Sequence, residues 1–92
     1  MEEILKKEIV AAKLLKCINS VLKEYNNSES VQSIQNETNI IEEFGFDSLA
    51  LISLIMEIES EFNIEFLDDD LDFEKWSKYE NIINEIISKI EL

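Results

Sequence analysis

The chain has 92 residues, 46% of them hydrophobic, which is enough for one small packed domain and too ordered a composition for a disordered chain. Its 21 acidic residues against 8 basic ones set the net charge at −13, and it has no histidine, no proline, one glycine and one cysteine. This balance excludes an internal disulfide, argues against phosphate-backbone binding, and removes the histidine that most zinc sites and Ser-His or Cys-His catalytic pairs require.

The charge is also unevenly placed. Residues 1–25 carry five lysines and four glutamates, net +1, whereas residues 26–92 carry three lysines and 17 acids, net −14. Nucleic acid is therefore not an expected partner, and the acidic part is suited to basic surfaces. Residues 1–10 alternate charged and apolar side chains, unlike a secretory signal. The longest apolar run, about eight residues ending at Glu57, is too short to span a bilayer, so a cytoplasmic location is expected.

From Glu2 to about Tyr25, Ile4, Ala11, Leu14, Leu15, Ile18, Val21, Leu22 and Tyr25 recur at steps of three and four. That spacing predicts one face of a long amphipathic helix, with the lysines opposite. Cys17 falls among its apolar positions and reads as a buried, inert thiol. Asn26-Asn27-Ser28-Glu29-Ser30 then favours a turn. Residues 26–47 form a connection of about 22 residues, long enough to require anchoring, and Ile40, Ile41, Phe44 and Phe46 are the expected anchors. A helical turn is expected inside it around Ser30 to Gln35.

The second main helix is predicted over Ser48 to about Phe62, with Asp47 as its N-cap. Leu49, Leu51, Ile52, Leu54, Ile55, Met56, Ile58 and Phe62 exceed what one buried stripe needs, so Leu49, Leu51, Ile52 and Met56 are expected to form an exposed partner-binding patch. A short element follows through Trp76. Ser77-Lys78-Tyr79-Glu80 then has the Ser-x-x-Glu capping-box pattern ahead of a last helix carrying Tyr79, Ile82, Ile83, Ile86, Ile87 and Ile90. The expected fold is all-α, a single domain of three main helices and one short third helix, with a long loop between helices 1 and 2.

Two motifs invite chemistry. Asp68, Asp70 and Asp72 sit at the first, third and fifth positions of a calcium loop. However, Phe73 stands where glycine is needed and Tyr79 where glutamate is needed, so no metal site is assigned. The second motif is Phe44-Gly45-Phe46-Asp47-Ser48-Leu49, in which the sole glycine precedes a serine at the start of the most apolar run. Without a histidine Ser48 lacks the usual base, and its surroundings are not the Gly-x-Ser-x-Gly elbow, so no catalytic residue is assigned and an enzyme is not expected. An exposed hydroxyl at a helix N-terminus can instead accept a phosphodiester, which the free N–H groups and helix dipole favour.

Gly45-Phe46-Asp47-Ser48-Leu49 resembles the Gly-x-Asp-Ser-Leu signature of acyl and peptidyl carrier proteins. The likeness continues through Leu54 to Glu65, where Glu59-Ser60-Glu61-Phe62-Asn63-Ile64 matches the family's Glu-x-x-Phe-x-Ile turn. It implies a four-helix bundle in which Ser48 bears a covalent 4′-phosphopantetheine arm and Asp47 assists in recognition and metal-assisted transfer. The arm's thiol would hold cargo as a thioester. The implied partners are a phosphopantetheinyl transferase, an adenylating ligase that loads the thiol, and downstream synthase or tailoring enzymes. Ala50, Ser53 and Ser60 stand where fatty-acid carriers usually place some of their acids, and Leu71 to Trp76 with Asn81-Ile82-Ile83 is similar to D-alanyl carriers. The expectation is accordingly a free-standing aminoacyl or peptidyl carrier of nonribosomal-peptide type. The alternatives are an acyl carrier of fatty acid or polyketide synthesis, a D-alanyl carrier for cell-wall polymers, and an unmodified acidic helical adaptor. Leu67, where proline is common, and the long first helix depart from the family pattern.

Overall fold

The computed structural model describes residues 2–26, 30–67 and 71–90, with the side chains of 2–5 and 26 outside that description. The side chain of Ile4 of the first stripe, Asn27, Ser28 and Glu29 of the expected turn, and Asp68, Asp69 and Asp70 therefore lie outside that description. The described residues form four α-helices: α1 (Glu2–Val21), α2 (Ile40–Phe44), α3 (Ser48–Phe62) and α4 (Tyr79–Ile90). No strand occurs among the described residues, only an isolated bridge between Asn39 and Lys78. No described helix is long and apolar enough to cross a membrane.

Helix α1 packs against both α3 and α4. Its buried stripe is Val10, Leu14, Cys17, Ile18, Val21 and Leu22, close to the predicted face, with Ala11 and Leu15 half-buried beside it. Leu54 and Ile58 of α3 and Ile82 and Ile86 of α4 meet it in the centre, all at 0% exposure. The end of α1 differs from expectation. Over Leu22–Asn26 the chain winds as a π-helical turn, and Tyr25, expected on the buried face, is 43% exposed.

The long connection is held down at several points. The Asn19 side chain on α1 grips Val31 twice: its Oδ1 accepts the Val31 N–H at 2.8 Å, and its Nδ2 donates to the Val31 carbonyl at 3.1 Å. Residues 30–35 form no helix. The helical turn lies later, at α2, because Asn39 caps it through Oδ1, accepting from Ile41 and Glu42 N–H groups at 3.0 Å each. Ile40 and Phe46 are buried and Ile41 and Phe44 half-buried, so all four expected anchors pack against the core.

The segment before α4 holds the expected short third element and one further correction. The short third element is a 3-10 turn, Lys75–Ser77, begun by Asp72, whose Oδ1 accepts from the Glu74 and Lys75 N–H groups. The expected capping box at Ser77 does not form. Ser77 Oγ donates to the Glu74 carbonyl at 2.6 Å, inside the 3-10 turn. The first N–H groups of α4, on Tyr79 and Glu80, are instead satisfied by the Thr38 and Asn36 carbonyls of the long connection. The loop thus caps a helix far from it in sequence, which local sequence patterns do not encode.

Candidate functional site

The segment between α2 and α3 is built to present Ser48. Gly45 ends α2 in the left-handed conformation at φ +69°. A Cβ there would meet nothing within 4 Å, so glycine is required by backbone conformation and not by space. Phe46, only 2% exposed, then plugs the core with its ring 6.0 Å from that of Phe44. This hydrophobic anchor fixes where the next two residues emerge.

Asp47 is the N-cap of α3, as predicted. Its Oδ1 accepts the Ala50 N–H at 2.9 Å and its carbonyl accepts the Leu51 N–H at 3.0 Å. Ser48 is the first residue of the helix and is exposed. The N–H groups of Ser48 and Leu49 have no acceptor within the helix, so the positive end of α3 lies beside the hydroxyl. A phosphodiester fits this setting: it needs an accessible oxygen and benefits from backbone donors.

Beside Ser48 opens an apolar cleft of about 270 Å³ between α3 and the segment 71–76. Leu51, Ile52 and Ile55 form its α3 wall, and Leu71, Phe73 and Trp76 the opposite wall, with Asp72 at the rim. Trp76 is 1% exposed and stands edge-on to Phe66, ring centroids 4.8 Å apart at 88°. Glu59 Oε2 accepts the Phe66 N–H at 2.9 Å, tying that wall to α3. No pocket residues were named from sequence. The signal for them was Leu71-x-Phe73-x-x-Trp76, apolar residues in an otherwise acidic segment.

Leu49, Ile52 and Met56 are exposed at 65%, 53% and 63%, forming an apolar patch on α3 that begins next to Ser48. Leu51 does not belong to it. It is 3% exposed, because it lies two positions from Leu49 on a helix and so faces inward beside Leu54, in the core and the cleft wall. Asp72 caps the 3-10 turn, and among the described residues no cluster of three or more histidine, cysteine or carboxylate side chains could hold a metal ion. Cys17 is buried, and its thiol is pushed up to about 11, first by burial and then by Glu57 and Glu61, while Lys16 pulls the other way.

Residues 12–86 match the family model described as the phosphopantetheine attachment site. The acyl carrier protein of Campylobacter jejuni (strain RM1221) is 41% identical over 59 residues, covering 64% of this chain and 74% of its own. That of Thermotoga maritima is 34% identical over 73 residues, covering 79% of this chain and 86% of its own. That of Buchnera aphidicola subsp. Baizongia pistaciae is 46% identical over a shorter span of 39 residues, covering 42% and 50%. No solved structure matches the chain. With a family match over most of its length and a relative aligned over 79% of it, the chain belongs to the acyl and peptidyl carrier proteins, and its prosthetic group is a covalently attached 4′-phosphopantetheine.

Proposed function

We propose that Ser48 is the attachment residue and that the carrier holds an acyl group, presenting it to successive enzymes without itself catalysing a reaction. In the loading reaction Ser48 Oγ displaces adenosine 3′,5′-bisphosphate from coenzyme A, forming a P–O ester, and its proton passes to the transferase. The arm then supplies a thiol that holds cargo as a thioester. Asp47 orders the helix start from which the hydroxyl projects, and Leu49, Ile52 and Met56 offer partners an apolar contact. The partners are the transferase, a ligase that charges the thiol, and enzymes that use the cargo; a tethered cargo reaches each of them at raised effective concentration.

The observation that carries the acyl reading is the apolar cleft opening at Ser48, which offers an alkyl chain cover from water at about 0.8 kcal/mol per buried methylene. The relatives named acyl carrier protein support it. An aminoacyl cargo is the second reading. It is favoured by the exposed face of α3, where Leu49, Ile52, Met56 and Ser60, with the half-buried Ser53, replace an acidic surface.

Intact mass after incubation with coenzyme A, magnesium and a broad-range phosphopantetheinyl transferase tests attachment. A gain of one phosphopantetheinyl unit is expected, lost in Ser48→Ala; a gain that survives the substitution would sink Ser48 as the site. Trp76, the only tryptophan, reports on cargo because it lines the cleft. Charging the arm with a medium-chain acyl group should shift its emission, while an aminoacyl group should leave it near that of the uncharged carrier.

A further inference from the structure

The end of α1 departs from regular α-helix over Leu22–Asn26. Residues four after Val21 and three after Leu22 share their face in an α-helix, so an unbroken α1 would bury Tyr25 with them. The π-helical turn over Leu22–Asn26 rotates the chain away from that register, and such turns recur at functional positions. Tyr25 swings outward and shares a 2.5 Å hydrogen bond with Ser53 on α3. Ser53 stands four residues after Leu49 and three before Met56, so the phenol borders the exposed apolar patch. Ser20 Oγ, donating to Glu57 Oε1 at 3.3 Å, fastens the same edge.

Between the end of α1 and α3 lies a notch of about 320 Å³, with Met56 and Ser53 on one side and carboxylates of Glu24, Glu57 and Glu61 around it. Lys16 offsets Glu61 at 3.5 Å, leaving a negative rim next to an apolar surface. Ser53 is five residues from Ser48, about 7.5 Å of helix rise. A standard-size interface covers about 800 Å² per partner, an area that extends from Ser48 to this edge.

We infer that the surface read by the transferase that modifies Ser48 crosses from α3 onto the end of α1, with Tyr25 as an aromatic contact and the Glu24 rim receiving a basic side chain of the enzyme. This rests on the assignment of Ser48 as the attachment residue. Tyr25 is a specificity-determining contact and takes no part in the chemistry. The occupant follows from the surface: an apolar patch with a carboxylate rim is complementary to an enzyme face that sets a basic residue beside apolar ones.

The test is steady-state kinetics of Ser48 modification on the full chain, using a purified broad-range transferase, coenzyme A and magnesium, followed by intact mass. Tyr25→Ala should raise KM for the carrier about tenfold, the loss of one interface anchor, with kcat within about twofold. Tyr25→Phe keeps the ring and should stay within about threefold of wild type. Glu24→Lys, at an exposed position with no packing role, should raise KM on its own and so decides the question if Tyr25→Ala does not fold. A lower melting temperature with unchanged KM in Tyr25→Ala, or unchanged KM in Glu24→Lys, overturns the inference. A wild-type chain that gains no mass removes the Ser48 assignment and this inference together, whereas a modified wild type with indifferent variants removes this inference alone.

Discussion

Gly45 and Asp47 fulfil different physical requirements within three residues. At φ +69° any residue with a Cβ pays a left-handed penalty of about 1–2 kcal/mol, and open space around the site gives no packing gain in return. Gly45→Ala is therefore expected to cost about 1 kcal/mol or more in urea unfolding, and Gly45→Asn less, because asparagine tolerates this region. Asp47→Ala removes the Ala50 N–H acceptor and should cost about 1 kcal/mol. Asp47→Asn or Ser, which still accept that bond, should restore most of it. If Asp47→Ala unfolds at the wild-type urea midpoint, the cap contributes nothing to stability.

At the scale of elements, what places Ser48 is the anchored connection more than the helices on either side. Asn19 makes both of its hydrogen bonds to one backbone unit of the connection, so its amide stands in for a neighbouring strand. Asn19→Ala leaves the half-buried Val31 N–H and carbonyl unpaired, a loss of about 1–3 kcal/mol. The loss should come with faster proteolysis within residues 30–38 and with weaker capping of α4 by Thr38 and Asn36, seen as faster amide exchange at Tyr79 and Glu80. Cleavage at the wild-type rate would show that α2 and Phe46 alone hold the connection. The ion pairs weigh less. Lys16–Glu61 is largely exposed on the lysine side, and pairs of this kind contribute about 0–1 kcal/mol.

At the scale of the whole molecule, the core controls the alkaline limit of stability. Cys17 ionises from its ordinary value of 9.0 when unfolded but only near 11 when folded, and burial also raises the Tyr79 phenol. The folded state thus holds protons that the unfolded state releases. Stability from these groups is complete below pH 9 and is lost as pH rises through about 11. Melting temperature should be insensitive to Cys17 below pH 9 and fall above it. Cys17→Ala lowers stability throughout by opening a small cavity, so the comparison is of slopes: its decline between pH 9 and 11 should be shallower. An identical slope would show that neither burial nor the nearby Glu57 and Glu61 carboxylates hold back ionisation of the thiol in the folded chain.

The helices, the cap and the exposed hydroxyl were legible along the chain because each depends on residues within a few positions. Spacing of three and four marks the stripes of α1, α3 and α4; Asp47 precedes its helix; the one glycine lies where the backbone turns left-handed. Leu51, Tyr25, Ser77 and the cleft were not legible in this way. Leu51 has the same chemistry as its exposed neighbour Leu49, and only the placement of α1 and of Trp76 decides which of them is covered. Tyr25 leaves its stripe through a π-helical turn whose partner, Ser53, is 28 residues away. Ser77 lost its capping role because carbonyls some 40 residues earlier already occupied the donors of α4. The sequence by itself determined where Ser48 stands and how its helix begins. The tertiary structure alone decided what surrounds that hydroxyl, because burial and hydrogen-bond partnership over long separations are properties of the packed chain and not of any segment.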